Sequence, residues 1–92
     1  MKTKANYFTK QGLSLGGNIH FEKDYFTFKT HLLNFKKETI KVEYKNLLSI
    51  ELEVIIGPML RIVLKNGETL AFVVSNRKKI KEFLEEKIKT NL

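Results

Sequence analysis

"NIHFEKDYFTF", residues 18–28, places Ile19 and Phe21 on one side of an extended chain, breaks at Glu22 to Tyr25, and resumes with Phe26 and Phe28. Strand side chains alternate with period two, so these four apolar residues share a face, and Thr30 and Leu32 extend it. His20, Thr27, Lys29 and His31 then point the other way. A hairpin with four large apolar groups on one side needs a core to receive them, so the neighbouring sequence must supply one.

It does so on both sides. "TIKVEYK" (39–45) sets Ile40, Val42 and Tyr44 against Lys41, Glu43 and Lys45, and "LLSIELEVII" (47–56) sets Leu48, Ile50, Leu52 and Val54 against Ser49, Glu51 and Glu53. Each reads as a half-buried antiparallel strand. After the break at Gly57 and Pro58, "MLRIVLKNGETLAFVVS" (59–75) carries Asn66-Gly67 between two β-rich runs, the preferred pair for a two-residue type I′ hairpin. Its inward set is Leu60, Ile62, Leu64, Leu70, Phe72 and Val74, and its outward set includes Val63, Ala71 and Val73, so this hairpin is apolar on both faces. Upstream, "ANYFTKQ" (5–11) reads as a first strand, and the glycines of "GLSLGGN" (12–18) read as a loose connection.

From Asn76 the period changes. Ile80, Phe83, Leu84 and Ile88 lie on one side of a helix, Ser75 or Asn76 stands at the N-cap position, and Lys78 with Glu82 and Lys81 with Glu85 are spaced four apart on the wet side. About seven strands followed by one helix give a mainly β fold. Strands with one greasy face each curl into a partly open barrel or two orthogonal sheets, and the helix caps an end that would otherwise expose the core.

The 92 residues are expected to form one domain, 1–92, with a single core and no room for a deep active site. The formal charge is +7, and its excess lies early: residues 1–45 carry nine lysines against four acids. The absence of cysteine excludes disulfides, thiolate nucleophiles and cysteine-type zinc sites. No apolar run approaches the ~18 residues needed to span a bilayer. A cytoplasmic protein is expected, peripheral at most at the inner membrane face. The single aspartate, Asp24, falls in a turn, and His20 and His31 face outward without a partner base. No catalytic residue, metal site or cofactor is therefore expected, and the chain reads as a non-enzyme.

The order and spacing of these segments resemble the GRAM domain, a small member of the pleckstrin-homology-like superfold. Gly17, Ile19 and Phe21, the turn Glu22 to Tyr25, then Phe26 and Phe28, match the glycine, the alternating apolar pair, the polar turn and the phenylalanine of that family. "NLLSIELEV", the hairpin "LRIVLKNGETLAFVV" and a terminal helix follow in the same order. The resemblance implies a partly open barrel of about seven antiparallel strands capped by one helix, acting as a binding or adaptor module. The arginines that inositide-binding members carry around the first two strands are missing, since the first arginine is Arg61.

Three surfaces are candidates for contact. The first is a set of basic loops expected at one barrel end: Lys10, then "HLLNFKKET" (31–39) with Leu33, Phe35, Lys36 and Lys37, then Lys65. They would hold an anionic membrane surface or an acidic protein segment, with Leu33 and Phe35 dipping into the interface. The second is Arg77, Lys78 and Lys79 in the first helical turn, where the macrodipole already favours an anion. The third is the outward face of the 59–75 hairpin, which suits a homo-oligomeric scaffold or a protein partner. Nucleic-acid binding rests on charge alone, because Tyr7 and Tyr25 are the only aromatics expected to be free for stacking.

Overall fold

The computed structural model describes residues 1–31, 39–54 and 57–92. Seven strands precede one helix: β1 Lys2–Phe8, β2 Ser14–Phe21, β3 Tyr25–Thr30, β4 Thr39–Glu43, β5 Leu47–Val54, β6 Pro58–Leu64, β7 Thr69–Val73 and α1 Arg77–Thr90. A 3-10 turn, Tyr44–Asn46, joins β4 to β5. All strands belong to one antiparallel sheet of order β4-β3-β2-β1-β7-β6-β5, with β1 bridging its two halves. The sheet curls into a partly open barrel of the pleckstrin-homology-like kind.

The quoted hairpin forms as its alternation requires. Ile19 pairs with Phe28 and Phe21 with Phe26 across β2 and β3, and all four are buried. Their rings belong to two groups. Phe28 meets Phe72 and Tyr7 at centroid distances of 5.3 and 5.8 Å, while Phe21 meets Phe26 and the helical Phe83 at 5.9 and 5.3 Å. Tyr7 therefore packs inward and is half-buried. Tyr44, which pairs edge-on with Phe83 at 6.0 Å, donates its hydroxyl hydrogen bond to Glu22 O at 2.7 Å. Its pKa is pushed up to about 12, first by burial and then by the nearby charges of Glu22 and Asp24.

The helix enters this core from the open end. Ile80 and Leu84 are fully buried among the strand residues, Phe83 and Ile88 pack alongside, and the wet side holds Lys81 Nζ against Glu85 Oε2 at 2.6 Å. Asn76 stands at the N-cap but does not cap with its side chain, whose Oδ1 instead accepts a hydrogen bond from Thr3 Oγ1 at 3.4 Å.

Four local readings are corrected. The first strand begins at Lys2 rather than Ala5, because Lys2 to Ala5 pair with Gly17 to His20 of β2. Gly16 and Gly17 lie inside β2, not in a loop; a Cβ on Gly17 would sit 2.1 Å from the Lys29 carbonyl oxygen, so β3 comes too close for any side chain there. The turn is instead built by residues 9–13, where Thr9 N donates to Leu13 O at 2.9 Å and Gly12 takes a φ of 86°. In β5, a register shift between Leu47 and Ser49 puts Leu47 in the core and leaves Leu48 55% exposed. Such a bulge reverses the alternation locally. Val54, at the strand's far end, is also exposed.

The Asn66-Gly67 turn forms, but not as type I′. Gly67 alone has positive φ, 91°, and Gly67 N donates to Leu64 O at 3.0 Å while Leu64 N donates to Glu68 O at 2.8 Å. This is a type I turn followed by a left-handed glycine bulge. The Asn66 side chain accepts from Glu68 N at 2.9 Å, which holds Asn66 in ordinary backbone geometry.

Candidate functional site

Strand direction decides which connections share an end of the sheet. Because every neighbour is antiparallel, the β1–β2 turn, the chain between His31 and Thr39, and the β6–β7 turn all leave from the same end. Lys10 in the first and Lys65 in the third are exposed. Leu33, Phe35, Lys36 and Lys37 lie outside the described residues. Lys10 lines a shallow hollow with Tyr7, Met59, Arg61, Thr69 and Gly12. Lys65 lines a larger cleft, about 630 Å³, with Lys41, Glu43, Asn46 and Glu68, between the free edge of β4 and the β6–β7 turn. The Lys65 cleft mixes charges of both signs, whereas the Lys10 hollow carries only the cations Lys10 and Arg61 over walls from Tyr7, Phe8, Met59 and Ala71.

The helical trio is divided by the structure. Arg77 Nη1 donates to Glu53 O at 2.9 Å and Met59 O at 3.2 Å, tying the start of α1 to the β5–β6 pair. Its charge is thereby spent on backbone carbonyls. Lys78 and Lys79 remain exposed.

On the 59–75 hairpin, Leu60, Ile62, Leu70, Phe72 and Val74 are buried inward, and Met59 and Ala71 are buried on the outward side. Cross-strand neighbours flank Ala71 there: Phe8 on β1 and Arg61 on β6. The helix packs on the inner side, so it does not provide the cover for that face. Arg61 is itself held in a fork, with Nε at 2.6 Å from Glu53 Oε1 and Nη2 at 3.2 Å from Oε2. That hydrogen bond lowers the Glu53 pKa and raises that of Arg61.

The outward residues of β1 to β4 form a surface that the segment-by-segment reading did not assemble. In register, Lys2 stands opposite His20, His20 opposite Thr27, and Thr27 opposite Lys41; Lys4 stands opposite Asn18, Asn18 opposite Lys29, and Lys29 opposite Thr39. Lys2, Lys4, Lys29 and Lys41 are all exposed. Among the described residues none of the four meets a carboxylate, and Glu43, at the foot of the face, pairs with Lys45 at 3.6 Å. Lys41 Nζ lies 4.4 Å above the Tyr25 ring, which occupies that ring's face. The signal was present in the sequence as lysines at alternate positions, but strand order was needed to bring them together. Among the described residues no group of three or more His, Asp or Glu is placed to hold a metal, and no helix is long and apolar enough to cross a membrane.

No family model matches the chain, and no curated protein matches it. Solved structures do. The C-terminal domain of an unknown protein from Leishmania infantum is 10% identical with a TM-score of 0.79, covering 96% of this chain and 81% of that one. Inner membrane complex sub-compartment protein 3 of Toxoplasma gondii is 13% identical with a TM-score of 0.71, covering 98% of this chain and 76% of that one. At such identities the likeness is one of fold: a compact antiparallel sheet with a C-terminal helix.

Proposed function

We propose that the chain is a non-catalytic binding module of the GRAM and pleckstrin-homology-like type, which contacts an anionic membrane surface through the basic connections at one end of its sheet. The observation that carries this reading is topological: the turns holding Lys10 and Lys65 leave from the end of the sheet at which β3 finishes and β4 begins. Juxtaposed lysines contribute about 1 kcal/mol each near an anionic bilayer, so four give a binding energy of useful size. Leu33 and Phe35 beside them add apolar area that can enter the interface. The fold neighbour from Toxoplasma carries a membrane complex in its name, which supports the same reading without establishing it. In this role the protein works in the cytoplasm, peripheral at the membrane's inner face.

The test is co-sedimentation with phosphatidylserine-containing and with neutral vesicles at near-physiological salt. Binding to the anionic vesicles alone is expected, weakened when Leu33 and Phe35 are both replaced by serine in a protein that stays folded. Equal binding to both vesicle types, or to neither, overturns the reading. Unfolding of the double variant assigns those two residues to the core and removes the apolar half of the proposed contact.

A further inference from the structure

We infer that the outward face of β1 to β4 is a second anion-binding surface, one that seats broadside on an anionic lipid bilayer. Four lysines from three strands, Lys2 and Lys4 of β1, Lys29 of β3 and Lys41 of β4, are exposed there without a carboxylate partner among the described residues. Strands are spaced ~4.8 Å and alternate residues ~7 Å apart, so the backbones bearing them cover a patch of about 14 by 7 Å. His20, His31 and Glu43 are the other titratable groups on this face, with Glu43 paired to Lys45, Tyr25 beneath Lys41 and Glu68 lining the cleft beside it.

Five of the ten acidic groups lie on β5 and α1. Glu51 and Glu53 flank Arg61 on β5 and β6, and Glu82, Glu85 and Glu86 line a hollow with Leu48 and Ser49 where α1 meets β5. Residues 1–45 carry nine lysines against four acids and residues 46–92 eight basic residues against six acids, so the larger positive excess draws the β1–β4 half toward an anionic plane.

The chemistry of the patch selects its partner. Lysine ammonium groups are compact point charges, whereas directional recognition of phosphate or carboxylate favours the planar fork of arginine, which this face lacks. A fluid bilayer lets headgroups gather beneath fixed lysines and needs no matching register. A single-stranded nucleic acid would use aromatic platforms, but Tyr7 is turned into the core and the Tyr25 ring lies under Lys41. The inference rests on the chain being a binder of anionic surfaces, but not on the end loops. A bilayer against the face meets the sheet side-on, while one at Lys10 and Lys65 meets the barrel end-on.

Two variants with the same charge separate the surfaces. One replaces Lys2, Lys4, Lys29 and Lys41 by glutamine; the other replaces Lys10, Lys36, Lys37 and Lys65. Each lowers the formal charge from +7 to +3. Vesicle partitioning is measured with phosphatidylserine in phosphatidylcholine at low and near-physiological salt, alongside a duplex DNA of random sequence. About fivefold weaker partitioning per lysine is expected, so the face variant loses about 600-fold at low salt. The loop variant keeps tighter binding than the face variant, and a face variant carrying four arginines in place of the lysines retains affinity. Equal losses in both variants show that only net charge matters and overturn the inference. A face variant that binds like the original also overturns it, and if the loop variant alone fails then the end-on reading stands by itself. Tighter binding to duplex DNA than to vesicles, lost with the same four lysines, overturns the choice of partner. No binding of the original protein to anionic vesicles overturns both readings.

Discussion

Replacing Gly17 by alanine adds one methyl group, and the structure says where it must go. An ideal Cβ there lies 2.1 Å from the Lys29 carbonyl oxygen and 2.9 Å from Phe28 Cε1, where real Cβ contacts essentially never fall below 3.0 Å. β2 and β3 would have to part by about 0.9 Å at this point. A ladder hydrogen bond stretched from ~2.9 Å by that amount is broken, at ~1 kcal/mol for each bond and more where a group stays buried. Phe28 cannot give way cheaply either, because it is wholly buried against Phe72 and Tyr7, and overpacking of this kind costs ~1 to 3 kcal/mol. Set against these is the smaller entropy of an unfolded chain with alanine, about 0.4 to 1 kcal/mol in the opposite direction. The net is a loss of about 2 to 4 kcal/mol, a large share of the ~5 to 15 kcal/mol typical of a domain. In a urea titration with a slope near ~1 kcal/mol/M the midpoint falls by about 2 to 4 M. Gly16→Ala is the control: its nearest neighbours are the side-chain atoms Asn6 Oδ1 at 3.1 Å and His31 Cδ2 at 3.3 Å, which can move aside. Its midpoint should stay within about 0.5 M of the original. A Gly17→Ala midpoint equal to or above the original would refute the argument that close strand approach, and not turn formation, requires this glycine.

Other expectations follow from single contacts. Tyr44→Phe removes the 2.7 Å bond to Glu22 O and should cost ~1 kcal/mol in chemical denaturation. Because the folded-state Tyr44 pKa is raised to about 12 from 10.0, its stabilising contribution is complete below pH 10 and is lost as pH rises toward 12. A fall of up to about 2 kcal/mol over that interval, absent in Tyr44→Phe, is expected from melts at each pH, and identical profiles in the two proteins would count against it. Arg77→Met leaves the Glu53 and Met59 carbonyls without their charged donor and should destabilise by about 1.5 to 3 kcal/mol without changing vesicle binding, whereas a loss of binding alone would return Arg77 to an anion-contact role.

The barrel was legible because period-two burial is written directly in the chain: Ile19, Phe21, Phe26, Phe28, Val42 and Ile50 all lie inward as their alternation demands. Helix α1 was legible for the matching reason, with Ile80 and Leu84 at its buried side. Most of what failed depends on a neighbour that is distant in sequence, the Asn66–Glu68 contact being the local exception. Gly17 looks like a turn residue until Lys29 is known to lie beside it. Leu48 and Leu47 cannot be ranked by pattern, since a bulge exchanges their faces and nothing local announces it. The hairpin at Gly67 reads as type I′ from its dipeptide, yet the Asn66 side chain bonding to Glu68 N settles it otherwise. For the candidate sites the same division holds. Lys65 could be assigned to a turn from its neighbouring Asn66-Gly67 alone, whereas Lys10, read at the end of the first strand, lies in the 9–13 turn, and the carbonyl partners of Arg77 belong to β5 and β6 and leave no trace near residue 77.

The core and the lysine face come from one and the same periodicity, and this couples fold to charge in a way that can be tested at adjacent residues. Phe28 points in and Lys29 points out because a strand allows nothing else, and their partners Ile19 and Asn18 divide in the same manner. A slip of one residue in the β2–β3 pairing would bury Lys29 and expose Phe28, so the cost of burying a lysine defends the register as firmly as the gain from burying the ring. Surface charge on this sheet therefore serves folding specificity even before any ligand is considered. Phe28→Ala should cost ~3 to 5 kcal/mol. Lys29→Gln should leave stability within ~0.5 kcal/mol, as exposed substitutions usually do, while weakening anionic-vesicle binding. Equal destabilisation by both changes would mean that the Lys29 side chain supports the fold through packing, and that the exposed lysines cannot be treated as a separable surface.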